Sequence, residues 1–246
     1  MKFPLLFSPL DVGGLEIRNR IFSTGHQTML ARGQVPNEDM AAYHEARASG
    51  GAGLIVLEGA RPHAGAASSA PIINAFTDAC IPGYRLIADA VHRHGCRVFG
   101  QLIHSGRVNP MIRDGMKGIT YSAAAVPDHR FHNVPRAMPA GMIDEIVTGF
   151  ADSAGRMIEA GLDGIEVGLS HGTLFAQFLS PITNLRDDAW GGDDDRRFFL
   201  RATRARPRRV AVHAVPALGV PPDLARGLGR RARRGHRELV VNRVSK

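Results

Sequence analysis

Three observations predict a parallel α/β fold for this chain. Short apolar runs alternate with segments of helical periodicity, the pattern of strands joined by helical crossovers. One run, "GLIVLEGA", is almost continuously apolar, as expected of a strand buried on both faces. Polar residues gather where the runs end, and parallel α/β proteins bind ligands at the carboxyl ends of their strands.

The elements follow in order. "NRIFSTG" closes a first apolar stretch with small residues. "PNEDMAAYHEARASGGAG" opens on acidic residues and ends in glycines, the start and stop signals of a helix. "GLIVLEGA" is the second strand. "PGYRLIADAVHRHG" sets Leu86, Ile87, Ala90 and Val91 on one helical face and stops at Gly95. His92 and His94 flank Arg93 at its end and are expected to face solvent. "CRVFGQLIHSGR" is the third strand. From Ser105 to Ala140 runs a Pro- and Gly-containing connection, of a length that suits a lid or a binding loop. "MIDEIVTGFADSAGRMIEAG" then places Ile143, Ile146, Val147, Phe150, Ala154 and Met157 at three- and four-residue steps. "GIEVGLS" is the fourth strand. No internal repeat or low-complexity segment precedes residue 200.

Composition bounds the function. A length of 246 residues holds one barrel-sized domain or two small ones, and 44% hydrophobic with 22% charged residues reads as soluble and globular. No apolar run has membrane-spanning length, and the apolar core of "MKFPLLFSPLDVGG" is too short for a secretion signal. Cys80 and Cys96 give neither a disulfide framework nor metal-ligand spacing, so a cytoplasmic setting and no metal are expected. Charge is uneven: 13 of the 31 Lys/Arg, but only two of the 23 Asp/Glu, fall in residues 201–246. Arg, Ala, Pro and Gly make up 27 of those 46 residues, with no sustained helical pattern, although "RRVAVHAV" and "ELVVNRV" alternate as strands do. This segment has no tyrosine, phenylalanine or tryptophan for base stacking, so only non-specific, salt-sensitive attraction to nucleic acid is expected.

Four strand ends carry candidate site residues: Gly25-His26-Gln27, Glu58-Gly59, Gln101 with His104, and Ser170-His171. Any one alone reads as a capping or satisfied polar group. Together they favour one shared site. Asp193, Asp194 and Asp195 read as acidic residues at a helix N-terminus.

The segments "LFSPLDVGGLEIRNRI", "YHEARASGGAGLIVLEG", "QLIHSGR" and "DGIEVGLSHGTLFAQFLSPITNLRDDAWGG" resemble the old yellow enzyme family of flavin-dependent oxidoreductases. The nearer branch is the one with 2,4-dienoyl-CoA reductase and trimethylamine dehydrogenase. The resemblance covers residues 3 to about 200. It implies a (β/α)8 TIM barrel with FMN at the carboxyl end of the strands, NADH or NADPH as electron donor, and a small-molecule substrate. Residues 1–200 are then the N-terminal half of an FMN-binding barrel. Residues 201–246 are a basic tail outside the resemblance, expected to be aberrant or out-of-frame sequence. An incomplete barrel of doubtful activity, binding FMN weakly or not at all, is the expectation, because the phosphate site of such barrels comes from later loops.

The resemblance also assigns positions. Gly25, His26 and Gln27 pass close to the flavin ring, and Gln27 stands where the trimethylamine dehydrogenase type has a flavin-bonded cysteine. Gly59 or Ala60 lines the ring, and Gln101 bonds its pyrimidine edge. His171 matches the second member of the family's H-x-x-H or H-x-x-N pair, which binds the substrate oxygen. Gly168 stands at the first member and Thr173 at the usual proton-donating tyrosine. These departures keep an amine dehydrogenase or demethylase of the same fold, or a non-catalytic remnant, as alternatives. Arg186 and Trp190 are expected to fix the loop after the fourth strand. The later cysteines of an iron–sulfur cluster have no counterpart here.

Overall fold

Asn37 starts the first helix. Its side chain accepts a hydrogen bond from the Met40 N–H at 3.1 Å, and Glu38 and Asp39 follow where the helix dipole favours negative charge. The helix, α1 (Glu38–Ser49), stops at Gly50 and Gly51. The structure, a computed structural model, describes residues 2–66, 71–108, 112–113, 116–169, 171–192 and 210–211. Ser170, Asp193 to Asp195 and the basic tail apart from Val210–Ala211 lie outside the described residues.

Five strands form one parallel sheet. They are β3 (Phe22–Ser23), β4 (Leu54–Ala60), β5 (Arg97–Leu102), β10 (Gly164–Val167) and β11 (Val210–Ala211), in the spatial order β11-β10-β5-β4-β3. The crossover helices are α1, α2 (Ile81–His92), which follows a 3-10 turn at Asp78–Cys80, and α3 (Ala140–Glu159). A short helix, α4 (Leu174–Leu179), follows β10. Part of the alternating "RRVAVHAV" thus forms a strand, Val210–Ala211, beside β10.

Alternation along the strands divides the core in two. Ile55, Leu57, Val98, Ile165 and Val167 join the main core, with Met40 of α1, Ile87 of α2 and Ile143, Ile146, Phe150 and Met157 of α3. Leu54, Val56 and Phe99 belong to the second face. They pack with Val12, Leu15 and Ile17 of the hairpin formed by β1 (Leu10–Val12) and β2 (Leu15–Ile17). Leu54 opens β4, so the hairpin covers the amino ends of this face. The carboxyl ends carry the polar residues.

Two expectations about α2 need correction. Leu86 is 44% exposed, while Tyr84, Ile87, Ala88 and Val91 are buried. Gly83 sets this face: a Cβ there would lie 2.1 Å from the Pro36 carbonyl oxygen, so the helix meets the start of α1 through its glycine. His92 and His94 are half-buried rather than solvent-facing, because carboxylates converge on this helix end. His92 Nε2 meets Asp163 at 2.7 Å, and His94 Nε2 meets Glu45 at 3.2 Å.

The long connection contains structure that periodicity does not announce. β6 (Ile112–Arg113) pairs antiparallel with β7 (Met116–Lys117), and β8 (Tyr121–Ser122) pairs parallel with β9 (Arg136–Ala137). Among the described residues no helix is long and apolar enough to cross a membrane. Cys80 and Cys96 are buried free thiols, and burial pushes both up to about 11.

Candidate active site

β4 and β5 bring the first site residues together. Gly59 and Gln101 are register partners across these strands, and Glu166 of β10 is the register partner of Gln101 on its other side. β4 slips register between Val56 and Gly59, so Glu58, Gly59 and Ala60 end the strand rather than follow it.

Space around the Gln101 amide explains two glycines. A Cβ on Gly25 would lie 2.8 Å from Gln101 Nε2 and 2.8 Å from the Leu57 carbonyl oxygen. A Cβ on Gly59 would lie 2.9 Å from Gln101 Oε1 and 2.6 Å from Ile103 Cγ2. The amide therefore sits between two positions where any side chain would collide with it. Ala60 is fully buried in the helix-side core, which leaves Gly59 as the member of that pair facing Gln101. Gln101 Nε2 donates to Glu166 Oε1 at 2.5 Å.

The other residues after β3 are held from neighbouring elements. His26 Nδ1–H donates to the Thr24 carbonyl at 3.1 Å, and its Nε2 shares a hydrogen bond with the Tyr43 hydroxyl of α1. The His26 ring leans toward α1, 5.6 Å from the Tyr43 ring. Gln27 Nε2 donates to Glu58 Oε1 at 3.2 Å. Glu58 is fully buried and also accepts from the Thr28 N–H at 2.8 Å and from its hydroxyl. The sequence marks Glu58 only as a strand-end polar residue with no specific role, and it does not single out Glu166. The available signal was a single acidic residue within each of the apolar runs "GLIVLEGA" and "GIEVGLS".

His171 lies three residues past Gly168, which packs against Ile103 at the end of β5. Its φ of 60° is left-handed, a conformation L side chains rarely adopt. Its carbonyl accepts from Arg130 Nη2 at 2.9 Å, tying this turn to the long connection. Thr173 is buried, and its hydroxyl donates to the Gly168 carbonyl at 3.3 Å. Gln177 of α4 accepts from the Ser122 hydroxyl at 2.9 Å and donates to the Gly172 carbonyl at 2.7 Å and the Ser105 carbonyl at 3.0 Å. Arg186 Nη1 reaches the carbonyls of Ala123 at 3.0 Å and Met138 at 2.7 Å. Trp190 is buried, and its carbonyl accepts from Asn184 at 2.9 Å, so both residues fix their loop as expected.

His104 lies just past the end of β5 and is fully buried. Its Nδ1 accepts from the Gly106 N–H at 3.1 Å, which puts the proton on a buried Nε2 without a hydrogen-bond partner. Burial, with smaller effects from His63 and Arg61, pushes the imidazole down to about 3. A cleft of about 540 Å³ beside α3, lined by Pro62, His63, Phe76, Glu145, Asp152 and Arg156, contains none of the predicted site residues.

Comparison with known proteins places this arrangement. The family model described as NADH:flavin oxidoreductase / NADH oxidase matches residues 5–215, which extends past residue 200 and includes β11. The N,N-dimethylglycine/sarcosine dehydrogenase of Chromohalobacter salexigens is 37% identical over 231 residues, covering 91% of this chain and 33% of that protein. An NADH oxidase of Thermoanaerobacter brockii is 38% identical over 199 residues, covering 79% of this chain and 30% of that protein. The chain thus spans about a third of the length of these relatives. Among solved structures, morphinone reductase in complex with tetrahydroNAD aligns with a TM-score of 0.76 at 30% identity, covering 85% of this chain and 63% of that one. The old yellow enzyme homologue from Zymomonas mobilis aligns with a TM-score of 0.75 at 28% identity, with the same coverages of 85% and 63%. The chain belongs to the NADH:flavin oxidoreductase / NADH oxidase family, and its parallel sheet is the N-terminal part of a (β/α)8 barrel.

Proposed function

We propose that this chain serves an FMN-dependent oxidoreductase of the old yellow enzyme type, acting on a small organic substrate. Bound FMN supplies hydride exchange at its N5 atom. The observation that carries the reading is the Gln101 amide between Gly25 and Gly59, at the carboxyl ends of adjacent parallel strands. An amide donates and accepts at once, as the pyrimidine edge of a flavin requires of its partner. The flanking glycines let a flat ring approach the backbone. Gln27, held by Glu58, borders the same strand end. NADH or NADPH is the proposed electron donor, in keeping with the family description and the NADH oxidase relative.

His171 is the proposed hydrogen-bond donor to a substrate oxygen. A donor aimed at developing negative charge acts mainly on the transition state. A non-glycine residue in a left-handed conformation just past a strand end fits such positioning. Thr173, the other candidate, would donate a proton to substrate only by giving up its bond to Gly168. In the geometry described, it holds the turn that presents His171.

A second reading, oxidation of N-methyl amines, is favoured by Gly168. This residue offers no side-chain donor where the ene-reducing members have one. Similar chains include the dimethylglycine/sarcosine dehydrogenase and a probable N-methylproline demethylase of Rhizobium meliloti. The test is reconstitution with FMN, read by bound-flavin absorbance, followed by assays with an enone and with an N-methyl amine. Bound flavin with turnover of either supports the family chemistry, and the substrate decides between the readings. Failure to take up any flavin at millimolar FMN would contradict both.

A further inference from the structure

We propose that Glu166 is a positioning residue that locks the Gln101 amide in one orientation and so gives the site its selectivity for one kind of ring edge. The proposal rests on the flavin reading above and adds the residue that controls it.

An isolated glutamine amide can turn over, exchanging its oxygen and nitrogen at little cost. Here it cannot do so freely. An ionised carboxylate only accepts hydrogen bonds, so the nitrogen end of the amide must face it. Gln101 Nε2 lies 2.5 Å from Glu166 Oε1, and the two residues are register partners on adjacent parallel strands. Backbone pairing thus holds donor and acceptor side by side. A charge-assisted bond of this kind is stronger than one between neutral groups.

The rest of the amide is then defined. Oε1 is turned toward Gly59 and Nε2 toward Gly25, the two positions where a Cβ would lie 2.9 Å and 2.8 Å away. One N–H is taken by Glu166, which leaves one N–H and the carbonyl oxygen for a ligand. Together they complement a cyclic imide or ureide edge, in which a ring N–H is flanked by ring carbonyls. Reversing the amide would bring its carbonyl oxygen against the carboxylate. Glu166 is half-buried, so this repulsion would be only partly screened.

The probe is lumiflavin, which keeps the ring edge and lacks the phosphate, compared with its N3-methyl derivative. Flavin fluorescence titrations would use the purified chain, Glu166→Gln and Glu166→Ala. In the wild type, N3 methylation is expected to weaken binding about tenfold, the value of one well-formed hydrogen bond. In both variants this ratio is expected to fall to about threefold or less. The side-chain amide resonance of Gln101 gives a second readout. Its carboxylate-bonded proton should be displaced downfield in the wild type and return upfield in Glu166→Ala, with the backbone amides of β5 and β10 unmoved. Undiminished N3 discrimination in folded variants would overturn the role of Glu166. Wild-type binding without N3 discrimination would overturn it too, while leaving the flavin reading intact. No wild-type binding of lumiflavin or FMN would remove the flavin reading and this inference together.

Discussion

Gly25 is glycine because of space, not because of its backbone angle. One of the atoms that a Cβ would meet, the Leu57 carbonyl oxygen at 2.8 Å, belongs to a strand and cannot move aside. Gly25→Ala is therefore expected to destabilise the fold by about 1–3 kcal/mol, the usual cost of overpacking, and to push Gln101 from its place. Urea unfolding measures the first effect and flavin affinity the second. In a full-length protein carrying this N-terminal half, His171→Ala should behave differently, lowering turnover about 10²–10³-fold with flavin content retained. Flavin lost with turnover per bound flavin unchanged would make His171 a packing residue. Much of this site was legible: strand-end Gly, Gln and His residues stand out in a sequence that alternates strand and helix. The choice between Gly59 and Ala60 was not legible, because a register slip within β4 decides which one meets Gln101.

Two buried histidines make stability depend on pH. Burial, with a smaller push from Arg47 and His26, lowers His44 from 6.5 to about 4, and burial lowers His104 to about 3. An unfolded imidazole takes up its proton near pH 6.5, whereas these folded ones do so only near 4 and 3. Between those values the unfolded chain binds more protons, so stability falls as pH falls below about 6.5. Each group costs on the order of 1 kcal/mol per pH unit across its window. Urea midpoints from pH 7.5 to 5 should decline, and His44→Leu should reduce the slope by about half. A slope that His44→Leu leaves unchanged would show that other groups govern acid unfolding.

At the scale of elements, two glycines separate steric from conformational control. Gly83 lies within α2, where alanine is favoured by about 1 kcal/mol on helix propensity. Contact with the Pro36 carbonyl, 2.1 Å from a Cβ, outweighs that gain. Gly83→Ala is expected to lower stability by about 1–3 kcal/mol or more by parting α1 from α2. Gly14, in the β1–β2 turn, has φ of +78° and open space around its Cβ position. Gly14→Ala is expected to cost only the left-handed backbone penalty, about 1–2 kcal/mol. Denaturant midpoints of the two variants give the comparison. Equal small losses would mean that the helix pair relaxes freely around a methyl group. The same contrast shows why α2 was partly misread. Periodicity placed Leu86 inside, but the approach through Gly83 selects the face carrying Tyr84, Ile87 and Val91. The two-residue strands of the long connection were not legible, since pairs that short carry no period.

For the whole molecule, one face of the sheet has two unlike ends. Hairpin residues Val12, Leu15 and Ile17 cover the apolar amino ends, with Leu54, Val56 and Phe99. Gly25, Gly59, Gln101 and Glu166 gather toward the carboxyl ends. That polarity follows from parallel pairing, which places the starts of neighbouring strands at one end and their stops at the other. In the proposed function, the polar end receives the flavin ring. Titrating FMN into the isotope-labelled chain while following backbone amide resonances tests it most directly. Shifts centred on Gly25, Gly59, Gln101 and Gly168 are expected, with Val12, Leu15 and Ile17 unmoved. Shifts centred on the hairpin, or none at millimolar FMN, would contradict it.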